Sequence, residues 1–225
     1  MTDHDPGLLL QPPDAFAMLV LAHGAGAGMR HPFLEGVAQS LYREGVATYR
    51  YDFPYMAEGR KLPDRPPVLV PAVRRAVRAA HRTAPDLPLF AGGKSMGGRM
   101  TSTAGAEGGL YPTPSGTELV RGLVFLGFPL HPSRKPGVAR AEHLSGLSLP
   151  TLFLQGDRDT LADLTLLKPV VDGLGPRATL HVVAGADHGF HVLKRSGRTD
   201  SQVLDELAAT TASWMRRRIR SAQGA

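Results

Sequence analysis

Apolar residues gather in six short runs, at 18–22, 46–51, 87–91, 122–126, 151–154 and 179–183, each too compact to be a helix. Runs of this kind predict strands covered on both faces, as in a parallel sheet. Between and after them, residues 32–44, 71–83, 96–106, roughly 161–174 and 201–220 place apolar positions at helical spacing. Strand followed by helix, repeated, predicts an α/β fold with a mainly parallel central sheet of about six or seven strands and helices on both faces. Residues 105–118 are rich in Gly, Pro, Ser and Thr, and 129–148 lack periodicity, so both are expected as long loops. Neither is large enough for a cap domain. The chain reads as a single domain over 1–225, with about 1–14 as a loosely ordered tail.

Composition narrows the chemistry. With 42% hydrophobic and 20% charged residues the chain can build a core, and its zero cysteines exclude disulfides, thiolate metal sites and a cysteine nucleophile. A net charge of +6 and a pI near 10 raise the question of nucleic acid. The arginines answer it. Arg74, Arg75, Arg78 and Arg82 flank Val73, Ala76, Val77 and Ala80 as the wet face of a helix, and Arg216, Arg217, Arg218 and Arg220 crowd the end of the last helix, where cations complement its dipole. No nucleic-acid partner is expected. The longest apolar run, 15–22, is far short of a membrane span, and the acidic start at Asp3 and Asp5 is unlike a signal peptide, so the expectation is a cytoplasmic protein without membrane association.

After the run at 87–91 the chain reads Gly92, Gly93, Lys94, Ser95, Met96, Gly97, Gly98, placing Gly-x-Ser-x-Gly between a strand and a helix. A sharp turn there exposes the serine hydroxyl while the two small residues let backbones pass. With 26 glycines in the chain, about 0.15 such matches would arise by chance, so context must carry the motif. A serine needs a histidine to take its proton, and the histidine needs a carboxylate to orient it. Asp159 follows the fifth apolar run and His188 the sixth, in the order acid then base. Parallel strands end on one side of the sheet, so Ser95, Asp159 and His188 can converge. Asp157 and Asp163 compete with Asp159, and His191 with His188.

Acyl transfer also needs donors for the oxygen that becomes negative. The backbone N–H of Met96 is the first candidate, and that of Ala25, in the glycine-rich stretch His23 to Gly28, is the second. Met29, Tyr55, Phe128 and Leu130 follow strand ends and could line a substrate pocket. Two near-misses fail: a phosphate-binding loop would need glycine at Pro88, and a dinucleotide fingerprint would need it at Met29. His188, His191 and Asp187 lack a coherent third metal ligand, so neither metal nor cofactor is expected.

Six stretches, HGAGAGMRHPF (23–33), YDFPY (51–55), GGKSMGGRM (92–100), GFPLHP (127–132), QGDRD (155–159) and ADHGF (186–190), give the chain a resemblance to the α/β-hydrolase superfamily. It is dienelactone-hydrolase-like in its small uncapped size, and similar to the group of testis-expressed protein 30 and subunit 3 of the nonspecific lethal complex. The resemblance implies an α/β-hydrolase fold and supports Ser95, Asp159 and His188 as a triad. The function expected is a serine hydrolase cleaving small to medium carboxylic esters or related acyl bonds through an acyl-enzyme. Its partner would be a small-molecule acyl substrate, and its state monomer or homodimer. Because some relatives act as scaffolds, the alternative is a silent hydrolase fold that binds proteins.

Overall fold

The computed structural model describes residues 7–111 and 118–223. Seven strands form one sheet in the order β1-β3-β2-β4-β5-β6-β7: β1 (Leu8–Leu10), β2 (Ala17–Ala22), β3 (Val46–Tyr51), β4 (Leu89–Lys94), β5 (Val120–Leu126), β6 (Thr151–Gly156) and β7 (Ala178–Val183). β2 to β7 run parallel, and β1 alone is antiparallel, with Leu8 opposite Arg50 and Leu10 opposite Thr48. Residues 8–10, expected within a loose tail, are therefore a sheet edge. Three residues are too few to show a period, so the pairing was invisible to pattern. Residues 1–6 lie outside the described residues.

The predicted strands match the observed ones to within three residues, with β4 and β6 longer at their C-terminal ends and β2, β5 and β7 longer at their N-terminal ends. β4 continues through Gly92 and Gly93, which read as turn residues but pair with β2 and β5. Helices cover both faces. On one side lie α1 (Pro32–Arg43) and α6 (Asp200–Gln223), packed on Leu19, Leu21, Phe90 and Val124. On the other lie α2 (Pro54–Ala57), α3 (Pro66–Thr83), α4 (Met96–Ala106) and α5 (Leu164–Gly173), over Met18, Val20, Ala91 and Phe125. Alternate residues of each strand thus feed two separate cores, which explains the unbroken apolar runs.

Two expectations for the loops and arginines change. Within 129–148 a 3-10 segment, Ala139–Gly146, docks through Ala141 and Leu144, while 112–117 of the other expected loop lie outside the described residues. Arg74 is not a merely solvated charge: it donates to the carbonyls of Ala104, Glu107 and Gly109 at 2.7–2.9 Å and so caps the C-terminus of α4.

Candidate functional site

The C-terminal ends of β4, β6 and β7 bring three side chains together. Ser95 follows β4 directly, at φ +51° and ψ −116°, a conformation that costs strain and that the close packing around it holds in place. A Cβ on Gly97 would stand 2.6 Å from the carbonyl oxygens of both Ala22 and His23, and one on Gly93 2.6 Å from that of Ala22. Only glycine lets the start of α4 pass so near the end of β2. Ser95 Oγ donates to His188 Nε2 at 2.9 Å, and His188 Nδ1 donates to Asp159 Oδ2 at 2.7 Å.

Asp159 is buried, and its carboxylate is anchored further by the Leu161 N–H at 2.7 Å and by the Gln155 amide. The turn carrying His188 is fixed by Asp187 Oδ1, which accepts from the N–H groups of Gly189 and His191 at 2.8 and 3.0 Å. The rival residues have other partners. Asp157 accepts from the Gly185 N–H at 2.8 Å, Asp163 caps α5 through the Thr165 N–H at 2.8 Å, and His191 pairs with Asp200 at 2.6 Å. That carboxylate holds the His191 imidazole above its ordinary pKa.

Ala25 and Met96 both border the space in front of Ser95, and among the described residues neither N–H donates to a protein acceptor. By contrast the Ser95 N–H is committed to Leu126 O at 3.1 Å. The loop bearing Ala25 is braced from behind. Tyr55 Oη accepts from the Gly26 N–H at 3.1 Å, and buried His23 donates from Nδ1 to Gly24 O while its Nε2 accepts from the Phe53 N–H. Burial pushes the His23 pKa down, consistent with a neutral ring serving as both donor and acceptor.

The four residues expected to line the pocket are corrected. Tyr55, Phe128 and Leu130 are fully buried packing residues, and half-buried Met29, its N–H held by Asp52 at 2.7 Å, borders neither cavity beside Ser95. Gly127, at φ +67°, turns the chain so that Phe128 points inward against Phe125 and Phe153. The space beside Ser95 has two parts instead. One, of about 520 Å³, is walled by Phe33, Leu34, Phe190 and Leu204 and reaches Lys94 and His188. The other, of about 340 Å³, lies on the far side of Ser95, between Pro63, Leu69, Met100, Pro129 and Leu161.

Lys94 occupies the variable position of the Gly-x-Ser-x-Gly motif, so the motif gives it no role. Its Nζ is buried without a hydrogen-bond partner among the described residues, 5.8 and 5.6 Å from the centroids of the stacked Phe33 and Phe190 rings. Burial lowers its pKa to about 8, against the raising pull of Asp159 and Asp187.

A strained serine after a central parallel strand, linked through histidine to a buried aspartate, is a recurring arrangement on this kind of sheet. The model of the alpha/beta hydrolase domain matches residues 15–216. The chain belongs to that family. Its fold is also similar to a dienelactone hydrolase from Anabaena variabilis, at 22% identity and a TM-score of 0.69 over 94% of this chain and 90% of that one. A lidless α/β serine hydrolase from Xanthomonas campestris matches at 18% identity and a TM-score of 0.69, covering 92% and 87%. The esterase domain of a Rhodothermus marinus protein matches at 15% identity and a TM-score of 0.67, covering 94% and 92%. This α/β hydrolase likewise has no cap domain among its described residues, and none of its helices there is long and apolar enough to cross a membrane.

Proposed function

We propose that this α/β hydrolase is a serine esterase that cleaves small to medium carboxylic esters, or related acyl bonds, through an acyl-enzyme on Ser95. The observation that carries the reading is the unbroken hydrogen-bonded chain from Ser95 Oγ through His188 to Asp159 Oδ2. Ser95 Oγ attacks the carbonyl carbon as His188 Nε2 takes its proton. Asp159 stays ionised, fixes the tautomer with Nδ1 protonated, and stabilises the imidazolium. The N–H groups of Ala25 and Met96 receive the oxyanion. Collapse breaks the bond to the leaving oxygen, which takes the proton from His188 Nε2 and departs. Water, deprotonated by the same nitrogen, then releases the acid and restores Ser95.

The similar structures of an esterase domain and a lidless serine hydrolase agree with this reading, as do the braced loop at 23–28 and the two cavities meeting at Ser95. The narrower likeness to the group of testis-expressed protein 30 rests on the motif stretches alone. The test is kcat/KM on an aryl butyrate. Ser95→Ala is expected to lose at least about 10³-fold while circular dichroism stays native. Retention of activity within tenfold would overturn the assignment.

A further inference from the structure

The smaller cavity beside Ser95 carries charge that ester cleavage does not use. Its wall includes Arg99, one turn along α4 from the serine, and Arg140, in the 3-10 segment Ala139–Gly146. Among the described residues neither side chain has a hydrogen bond or ion pair, and Arg99 Nε is buried with nothing to donate to. Burial, and then the charge of Arg140, disfavour the charged form of Arg99. The one carboxylate on this wall, Asp64, is already gripped by Arg60 through two contacts at 2.8 and 3.1 Å. Two unpaired guanidinium groups facing one cleft are unfavourable in the free protein and gain most when an anion enters between them.

The position of His188 says which part of the substrate brings that anion. The leaving oxygen must receive its proton from His188 Nε2, and His188 borders the larger, aromatic cavity but not the arginine cleft. On the esterase reading the alcohol would then depart past Phe33 and Phe190, leaving the side of Met96, Arg99 and Arg140 for the acyl chain. Resting on the serine esterase reading above, we propose that the preferred substrates are monoesters of short dicarboxylic acids, their free carboxylate held by Arg99 and Arg140. The forked guanidinium matches a carboxylate edge, and the Pro63, Leu69, Met100 and Leu161 wall suits the methylenes before it.

The test compares a mono-aryl adipate with the aryl hexanoate of the same leaving group, which differ only in the terminal carboxylate. The wild type is expected to favour the adipate about tenfold or more in kcat/KM, the size of effect that charge-assisted hydrogen bonds give. That ratio should fall to near one in Arg99→Gln and in Arg140→Gln, and recover in part in Arg140→Lys. A wild-type ratio of one or less, or a preference that persists in both glutamine variants, would overturn the proposal. Calorimetric titration of adipate into the wild type and both variants separates this from failure of the esterase reading. Should no ester be turned over, binding that both variants abolish still sustains the arginine site, and absence of binding to the wild type rejects it.

Discussion

At the residue scale, the proposed mechanism gives Asp159, 2.7 Å from His188 Nδ1, the role of fixing a proton on that nitrogen. Asp159→Asn keeps the shape and loses that preference, so kcat/KM on an aryl ester should drop about 10³- to 10⁴-fold while circular dichroism stays native. A loss under tenfold would mean that the carboxylate does not orient the histidine. Lys94 makes a prediction about stability. Its pKa is depressed to about 8 in the folded protein from an ordinary 10.5, so the penalty of burying its charge is fully present below about pH 8. Between about 8 and 10.5 the folded form sheds the proton before the unfolded one, and stability rises. Lys94→Met, similar in shape and uncharged, should stabilise by about 1–3 kcal/mol at pH 7, with the gain shrinking towards pH 10. Denaturant melts at the two pH values check it; a variant less stable at pH 7, or a gain independent of pH, contradicts it. Nothing in the string Gly-Lys-Ser announces a buried lysine, because its burial comes from Phe33 and Phe190, which lie far off in sequence.

At the scale of elements, the elbow between β4 and α4 depends on an approach that only glycine allows. Gly97→Ala puts a Cβ 2.6 Å from two backbone oxygens that cannot rotate away, and should cost about 3 kcal/mol or more in chemical denaturation. Gly173, at the end of α5, has nothing within 4 Å of the same added atom and no positive φ, so Gly173→Ala should be neutral or stabilise by up to about 1 kcal/mol. Equal effects at the two positions would contradict the packing argument. Central strands were legible because burial on both faces leaves a continuous apolar run, as at 18–22 and 151–154. β1 was not, since its three leucines carry no period, and the extension of β4 was masked by Gly92 and Gly93. Helix α3 begins at Pro66, five residues before the predicted start, because prolines at a helix N-terminus preset its backbone rather than break it.

At the scale of the whole molecule, a parallel sheet delivers Ser95, Asp159 and His188 to one edge from positions 64 and 29 residues apart, and this convergence could be read from strand ends alone. The pocket could not. Whether Phe128 faces substrate or core depends on the turn at Gly127, and the meeting of Arg99 with Arg140 depends on how the segment Ala139–Gly146 folds back over α4. Chemistry at strand ends follows from topology, whereas the walls follow from side-chain packing between distant segments. The claim on which the rest depends is that this edge assembles an activated serine. Intact mass after exposure to a fluorophosphonate, on wild type and Ser95→Ala side by side, tests it without any choice of substrate. A single adduct is expected on the wild type and none on the variant; a folded wild type that stays unlabelled, or an adduct that survives in Ser95→Ala, would contradict that claim.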